Sequence, residues 1–575
     1  MGFGSLAELI TVARGDAPAD LLLQNAQLVN VLSAEVYTTD VAVWNGWIVG
    51  LGPGYDAEEI VDLAGAYVAP GFIDGHIHIE STMLTPPALA RVIVPHGTTA
   101  IVSDPHEIAN VLGVEGVRYM LAAGQQSPLD VFIMAPSCVP ATHMETAGAA
   151  LTANDMATLL QEEWVAGVAE MMNYPGVVAA VPDVLAKLDI AGDKRVDGHA
   201  PGMSGKALNA YVAAGIRSDH ECTTLAEARE KLRLGMYIMV REGSVARNLE
   251  QLLPLVTPEN ARQFIFVTDD ITPPDLMAHG HIDGLIRQAV GLGLDPVLTL
   301  QIATINPACY FGLSDRGAVA PGRKADLVVF DSFDDFNILR VYRNGYLAAE
   351  KGEMRLPRSE ARPATEVRRT MNTGDFGPNA FAIPAEGRQA RVIGIIPDQV
   401  VTRSLVREAT TRNGHAVADP QRDMLKLAVI ERHTASGAIG LGFVEGFGLR
   451  SGAIAGSVAH DHHNLIVAGA SDADMYVAAR AVVDMGGGLV VADGGQVVAQ
   501  LPLPVAGLMS DRTGDDVSRD FKAVTGAAHQ LGCTLDEPFM ALSFLGLEVI
   551  PELKLTDRGL VDVTRFRFTA LFVAD

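Results

Sequence analysis

Residues 71 to 308 alternate eight apolar, strand-like runs with segments that are compatible with helices. Each strand-helix unit takes about 30 residues, which is the usual length of a β-α-β unit, in which the two strands run parallel. Eight such units close into a (β/α)₈ barrel, which predicts an α/β fold for the centre of the chain. The predicted strands are FIDGHIHI, TTAIVSD, DVFIMAPS, VAGVAEMM, KRVDGHAP, AGIRSDHE, MYIMVREG and QFIFVTDD.

Ionisable residues stand at the ends of most of these strands. Groups at the C-terminal ends of barrel strands share one mouth, where the chemistry of such folds takes place. A charge buried there without a partner would cost several kcal/mol, so these groups should be paired or should bind a metal. They are His76, His78, Glu80, Asp104, His106, Glu107, Glu170, His199, His220, Asp269 and Asp270.

His76 and His78 are separated by one residue, so both side chains project from the same face of a strand. A single histidine here would more often be a packed, hydrogen-bonded residue than a ligand. The whole set indicates metal binding, because four imidazoles and two carboxylates suit two borderline divalent ions. The predicted ligands are His76, His78, Glu170, His199, His220 and Asp269.

The composition of the 575-residue chain argues against several classes of function. Acidic residues outnumber basic ones by 69 to 43, the formal net charge is −26, and no basic patch is found. Nucleic acids and anionic membranes are therefore not expected partners. Four scattered cysteines fit a reducing cytoplasm. Neither a signal peptide nor a membrane-spanning run is expected.

The sequence around the barrel, which is predicted at 71–310, indicates further parts. Short strands and turns occupy residues 1–70 and return in residues 311–365, and they are expected to form one small β-sandwich beside the barrel. A charged, proline-containing linker is predicted at 354–370. Residues 366–575 indicate an additional α/β domain.

The strand-end pattern resembles that of the amidohydrolase superfamily, with HxH after the first strand, single histidines after the fifth and sixth, and an aspartate after the eighth. The flanking stretches PGFIDGHIHIE and GAVAPGRKADLVVF are similar to the same superfamily. Within it, nearly the whole chain resembles the adenine deaminase family. That resemblance is carried by HIHIESTMLTP, SDPHEIANVLG, PSCVPAT, AEMMNYPGV, DGHAPGMSG, SDHECTT, TDDITPPDL, AHDHHNLIVAGASDADM and LPLPVAGLMS.

The resemblance implies hydrolytic deamination of adenine to hypoxanthine and ammonia, by attack of hydroxide at C6, in purine salvage. Glu170 stands where many amidohydrolases have a carbamylated lysine, so it would bridge two ions directly. One alternative is action on another aminated heterocycle or a cyclic amide, since loops change the substrate without changing the ligands. The other is a non-catalytic scaffold, which should lack several ligands.

This mechanism suggests roles for individual residues. Asp269 is predicted to carry a proton from the attacking hydroxide to the leaving amine. His106 and Glu80 are further catalytic candidates, although the stretch SDPHE could also be turn chemistry. Asp270 is a predicted substrate contact with an alternative interpretation as a helix cap. The other predicted substrate contacts are Glu107, Ser137 and Arg241.

The residue types also suggest the metal ion, the partners and the role of one histidine-rich segment. The mixed nitrogen and oxygen ligands accept Mn²⁺ or Fe²⁺, with Zn²⁺ as a third candidate. Adenine and water are the expected partners, and a homo-oligomer, most simply a dimer, is expected for an acidic enzyme of this size. The segment VAHDHHN, with His460 to His463, could close the barrel mouth, bind a metal loosely or form a polar surface loop.

Overall fold

The N-terminal segment consists of one helix followed by five strands. Ser5 caps the helix, because its Oγ accepts a hydrogen bond from the Glu8 backbone while the Glu8 side chain accepts one from the Ser5 backbone. The computed structural model describes residues 5–357, 365–397 and 399–573. The first elements are α1 (Leu6–Ala13), β1 (Ala19–Asn30), β2 (Glu35–Trp44), β3 (Trp47–Leu51), β4 (Ala57–Asp62) and β5 (Tyr67–Pro70).

Eight parallel strands follow and form the predicted barrel. They are β6 (Phe72–Ile77), β7 (Thr98–Ser103), β8 (Asp130–Ala135), β9 (Val165–Met171), β10 (Arg195–Gly198), β11 (Ser218–Asp219), β12 (Tyr237–Arg241) and β13 (Phe264–Val267). Strands β6 to β10 pair in order, as do β11 to β13. Two seams close the ring: the Asp269 N–H donates to the His76 carbonyl at 3.0 Å, and the Arg217 N–H donates to the Val196 carbonyl at 3.0 Å.

Helices lie between the strands and cover the outside of the barrel. Ala100 and Val102 of β7 pack in one apolar cluster and Ile101 in another, so this strand is buried on both faces. The helices are α2 (Pro86–Ile93), α3 (His106–Gln125), α4 (Ala153–Leu159), α5 (Tyr174–Val178), α6 (Pro182–Asp189), α7 (Gly205–Ala213), α8 (Leu225–Arg233), α9 (Leu249–Leu252), α10 (Pro273–His279), α11 (Ile282–Gly291), α12 (Pro296–Ala303) and α13 (Ile305–Tyr310).

The chain then returns to the N-terminal strands. The next elements are β14 (Leu327–Phe330), β15 (Ile338–Arg343), β16 (Tyr346–Glu350) and β17 (Glu353–Met354). Strand β14 pairs antiparallel with β5, which produces one nine-stranded sheet from both segments. This confirms that the two segments build a single β-module beside the barrel. Arg343 fixes the module to the barrel through Asp130 at the start of β8, with 2.7 Å between Nη2 and Oδ1.

The C-terminal part is built on an eight-stranded sheet. Its elements are β18 (Ile383–Pro384), β19 (Gln389–Ile395), β20 (Thr402–Glu408), β21 (Thr411–Arg412), β22 (His415–Ala416), β23 (Met424–Ile430), β24 (Ile439–Glu445), β25 (Ala453–Gly456), β26 (Leu465–Gly469), α14 (Asp472–Asp484), β27 (Gly488–Asp493), β28 (Gln496–Pro502), α15 (Gly514–Gln530), α16 (Pro538–Ser543), β29 (Leu553–Thr556), β30 (Gly559–Asp562) and β31 (Arg567–Phe568). The sheet order is β20-β19-β24-β23-β26-β25-β27-β28. The predicted linker at 354–370 lies partly outside the described residues.

This C-terminal part sits on the loops that follow barrel strands β6 and β8. The Ser510 N–H donates to the Met83 carbonyl at 2.8 Å. Thr556 Oγ1 donates to the Met144 carbonyl at 2.7 Å. Because these loops leave the C-terminal ends of the strands, the C-terminal part covers the barrel mouth. Within the described ranges, every helix is too short or too polar to cross a membrane.

Gly198, at the end of β10, allows a close approach to β11 beside the predicted ligand His199. A Cβ at Gly198 would lie 2.3 Å from the Ser218 carbonyl oxygen. Gly198→Ala should therefore push the strands apart and lower the free energy of unfolding by about 1–3 kcal/mol. Thermal denaturation would measure this loss. The control is Gly526→Ala in α15, where a Cβ meets no atom within 4 Å and stability should rise slightly. Equal midpoints of thermal denaturation in Gly198→Ala and Gly526→Ala would contradict the close approach of Gly198 to Ser218.

Candidate metal centre and active site

Four imidazoles meet at the mouth of the barrel, as the sequence predicts. The rings of His76 and His78, from the end of β6, have centroids 4.8 Å apart. The His76 ring also stacks on that of His220 at 4.4 Å, and the His199 ring lies 5.3 Å from that of His220. His76, His78 and His220 are buried, whereas His199 is half-buried. Three separate strand ends thus bring their rings to one place.

The carboxylate of Glu170, on β9, lies in the middle of this cluster. Its Oε2 is 2.8 Å from His199 Nδ1 and 3.2 Å from His220 Nε2. Its Oε1 is 3.5 Å from His78 Nε2 and 3.5 Å from His106 Nδ1. One carboxylate therefore presents one oxygen to each half of the cluster. A carboxylate that is shared by two cations must offer one oxygen to each of them.

Asp269 follows β13 and faces the two histidines of β6. Its Oδ1 is 3.1 Å from His78 Nε2 and 3.4 Å from His76 Nε2. Its Oδ2 accepts a hydrogen bond from Arg241 Nη1 at 2.7 Å. Although burial opposes ionisation, the Arg241 charge holds the pKa of Asp269 well below its usual range. The backbone φ of Asp269 is 58°, a strained conformation of the kind that clusters at functional sites.

Hydrogen bonding around the cluster tests whether it fits a metal. The Asp104 carbonyl faces His78 Nδ1 at 3.0 Å, so this nitrogen carries the proton and the Nε2 lone pair points toward Asp269. Within the described residues, His76 Nε2 and Asp269 Oδ1 are buried and have no hydrogen-bond partner. Lone pairs that face each other at these distances need a positive charge between them. Imidazole nitrogens and carboxylate oxygens are suitable donors for divalent ions, so the residues fit the group.

Two acidic residues extend the cluster beyond the predicted ligands. Asp104 Oδ2 is 3.2 Å from His106 Nδ1, and both residues can surround one ion together with His78 and Glu170. Glu221 Oε1 is 3.5 Å from His220 Nε2. Sequence reasoning missed Glu221, although its position directly after His220 in SDHE was an available signal. Asp104 was recognised at a strand end but was given no role.

Glu80 is a buried carboxyl group beside the cluster. Its Oε1 accepts a hydrogen bond from the Ile108 N–H at 3.1 Å. Its Oε2 is buried and has no hydrogen-bond partner in the part of the chain that the structure describes. Burial, together with the negative charge of Glu107, raises the pKa of Glu80 to about 7. A carboxyl group that titrates near neutrality is suited to accepting and returning a proton.

Ser137 and Arg241, two of the predicted substrate contacts, hydrogen-bond to members of the cluster. The Ser137 hydroxyl donates to the Glu170 carbonyl at 2.7 Å. The Arg241 guanidinium lies between Asp269 and Glu221 and pairs with both carboxylates. Arg241 thus holds two carboxylates in place, whereas Ser137 anchors the backbone that carries Glu170.

Asp270, another predicted substrate contact, accepts a hydrogen bond of 2.5 Å from Ser81 Oγ. The next helix, α10, begins at Pro273 after Thr272. The alternative interpretation of Asp270 as the cap of this helix is therefore wrong. Its half-buried carboxylate stays at the mouth of the barrel.

The C-terminal part reaches the barrel mouth through two histidines. Glu107 Oε1 is paired with His460 Nδ1 at 2.6 Å, and Glu107 Oε2 is paired with His463 Nε2. Between them in sequence, Asp461 approaches His106, with 3.9 Å from Oδ1 to Nε2. Residues 460–464 are all buried. The alternative of a polar surface loop is therefore wrong, and the segment helps to close the mouth.

The comparisons with known proteins agree with this architecture. Residues 67–348 match the model of the amidohydrolase family, and residues 399–567 match that of the adenine deaminase C-terminal domain. An adenine deaminase of Desulfatibacillum aliphaticivorans is 51% identical, over 98% of this chain and 99% of the relative. Adenine deaminase 2 of Carboxydothermus hydrogenoformans is 49% identical, over 98% of both chains. An adenine deaminase of Methanothrix thermoacetophila is 48% identical, over 99% of this chain and all of the relative.

A barrel that gathers imidazoles and carboxylates at the C-terminal ends of its strands defines the class of metal-dependent amidohydrolases. The family implies a divalent metal site, and the cluster around Glu170 groups His, Asp and Glu side chains that could hold such an ion. Sequence identity near 50% along the whole length narrows the assignment further. The chain belongs to the adenine deaminase family.

A buried pair of carboxyl groups joins the barrel to the C-terminal part near the site. Glu145, in the loop after β8, lies beside Glu548, and among the described residues Glu145 Oε2 and Glu548 Oε2 are buried without a hydrogen-bond partner. Thr142 Oγ1 donates to Glu548 Oε1 at 2.5 Å. Burial raises the pKa of Glu548 to about 7, and burial with the negative charge of Glu548 raises the pKa of Glu145 well above its usual range. The folded chain is therefore more stable when these two carboxyl groups keep a proton.

This pair predicts a pH dependence of stability. A carboxyl group with a raised pKa binds its proton more tightly in the folded chain, so its stabilisation is complete below about pH 4.5 and is lost as the pH rises through about 7. Glu548→Gln, which is always neutral, should lose less stability than the wild type between pH 5 and 8, with a difference of about 2–3 kcal/mol. Thermal denaturation across this range is the measurement. Parallel curves of stability against pH for the two proteins would contradict the raised pKa of Glu548. The exposed Glu115→Gln serves as the control, with no change expected.

Proposed function

We propose that the chain catalyses the hydrolytic deamination of adenine to hypoxanthine and ammonia. The observation that carries this conclusion is the identity of 48–51%, over at least 98% of the chain, with relatives that are named adenine deaminases. The buried cluster supports the same class of reaction, because deamination needs a water molecule that is activated at neutral pH. A non-catalytic scaffold is not favoured, since none of the six predicted ligand positions is missing. The residues at the barrel mouth also give no reason to prefer a different aminated heterocycle as the substrate.

The proposed metal site is binuclear and holds Mn²⁺ or Fe²⁺, with Zn²⁺ as a third candidate. Support comes from the grouping of donor atoms, with His76, His78 and Asp269 in one group and His199 and His220 in another. Glu170 lies between the two groups and is the proposed bridge. When bound, such an ion lowers the pKa of its water from about 15.7 toward 7.

Asp269 is the proposed proton carrier as well as a ligand. Arg241 occupies its Oδ2, whereas its Oδ1 has no hydrogen-bond donor among the described residues, so Oδ1 is the atom that takes the proton. The proton must then reach the exocyclic nitrogen at C6, because ammonia leaves far more readily than amide ion. Glu80 and His106 are the proposed relays. The pKa of Glu80 near 7 supports its part in this transfer.

The proposed contacts with adenine involve carboxylates at the edge of the cluster. Asp270 and Glu107 can each accept a hydrogen bond from the N–H groups of the purine. Ser137 and Arg241 are assigned an indirect part. Ser137 holds the backbone of Glu170, and Arg241 orients the carboxylate of Asp269, which would meet the substrate or the ions. Adenine and water are then the two small-molecule partners.

Other predictions from the sequence stay proposals. The units 1–70, 71–310, 311–365 and 366–575 are the proposed division of the chain. A homodimer is the proposed assembly. The cytoplasm is the proposed location, and purine salvage is the proposed role in the cell.

Ammonia release tests the proposed reaction directly. Protein purified without a chelator should release ammonia from adenine, lose this activity after chelation and regain it with added Mn²⁺. Adenosine, guanine and cytosine should give no ammonia, and they serve as controls for the substrate. Turnover of a different amine, with none of adenine, by a folded and metal-loaded sample would support the alternative amidohydrolase instead.

Glu170→Gln tests the proposed bridge. A neutral amide holds two cations poorly, so metal content should fall and kcat for adenine should drop about 100-fold or more, while circular dichroism stays unchanged. Metal analysis and ammonia release are measured on the same sample. The matched control is Glu163→Gln, an exposed residue just before β9. Full metal content together with full activity in Glu170→Gln would rule out the bridging role.

A further inference from the structure

We propose that His460 and His463, which the C-terminal part contributes, are positioning residues for the deamination. They hold the Glu107 carboxylate at the barrel mouth by one hydrogen bond to each of its oxygens. The inference rests on the proposed function, because Glu107 is a proposed contact for adenine. It gives the C-terminal part a role in the reaction in addition to covering the mouth.

Local hydrogen bonds fix the protonation of His463. Its Nδ1 accepts a hydrogen bond from the Ala459 N–H at 3.1 Å, so Nδ1 carries a lone pair and no proton. The proton of the neutral ring is therefore on Nε2, which donates to Glu107 Oε2. A metal ligand at Nε2 would need the opposite tautomer. The grouping of Glu107, His460 and His463 is thus a hydrogen-bonded clamp and not a third metal site.

The second histidine of the clamp is also held in place. The His460 ring stacks on Phe544 with centroids 4.7 Å apart and 15° between the planes. Stacking leaves the ring little freedom to rotate, and its Nδ1 points at Glu107 Oε1 over 2.6 Å. Both donors are buried, so water does not compete for the carboxylate.

The clamp connects with the centre of the site through one residue. Glu107 Oε1 is 3.5 Å from His106 Nε2, and His106 Nδ1 is 3.5 Å from Glu170 Oε1. A carboxylate that accepts two N–H groups on opposite oxygens is restricted to one orientation. Without these donors Glu107 would be a buried charge with fewer partners and would turn away from the position that the reaction needs.

Full-length, metal-loaded variants test the clamp. His460→Ala and His463→Ala should each lower kcat for adenine by about 10- to 100-fold, with a smaller change in KM and an unchanged metal content. His460→Asn and His463→Gln should restore much of the loss, since the asparagine amide nitrogen replaces Nδ1 and the glutamine amide nitrogen replaces Nε2. The swapped variants, His460→Gln and His463→Asn, should not restore kcat, because their amide nitrogens do not coincide with the ring nitrogens that they replace. The exposed His415→Ala should match the wild type.

Several results would overturn the clamp. One is full kcat in both alanine variants while the wild type deaminates adenine. Another is an equal loss of kcat in the alanine variants and in His460→Asn and His463→Gln, which would mean that the two histidines contribute only packing. A third is loss of metal in His463→Ala, which would make this residue a ligand. If the wild type itself releases no ammonia from adenine, the proposed function fails separately. A crystal structure of His463→Ala then tests the clamp, since a Glu107 side chain that stays in place would contradict it.

Discussion

The organisation of the site depends on one buried carboxylate, that of Glu170. It has imidazoles on both sides, and a negative charge in such a place is tolerated only when positive groups compensate for it. The ends of β6, β10 and β11 carry the imidazoles that surround this one side chain. The strained backbone at Asp269 and its hydrogen bond to Arg241 place one more carboxylate, after β13, beside these imidazoles. Electrostatic compensation thus explains both the geometry of the cluster and its fit to cations.

The second constraint is the cover over the barrel mouth. The C-terminal part contributes His460 and His463 to Glu107, and it contributes Glu548, which lies beside Glu145 of the loop after β8. Both contacts are buried and polar, so they tolerate little misalignment. The covering part and the barrel therefore form one polar network, in which a change on either side alters the carboxylates at the barrel mouth.

Much of the fold could be predicted from the sequence, because barrel strands that are buried on both faces leave continuous apolar runs. All eight predicted strands occur in order. The positions of the candidate ligands could also be predicted, since each follows such a run, and the two histidines of HxH on one strand must point to the same face. Glu221 was missed because an acidic residue beside a ligand has no periodic pattern. The contact between Glu107 and His463 joins positions 356 residues apart, and no local pattern reports such a pairing.

The sequence by itself therefore determined the barrel, the six candidate ligands and the resemblance to a family of deaminases, since these depend on local periodicity and on residue type at strand ends. Only the tertiary structure decided which side chains support the cluster, as Ser137 and Arg241 do, and which part of the chain closes the mouth. It also removed the helix-cap interpretation of Asp270. The physical reason is that hydrogen-bond partners and burial are properties of three-dimensional proximity, which long-range docking creates after the strands have formed.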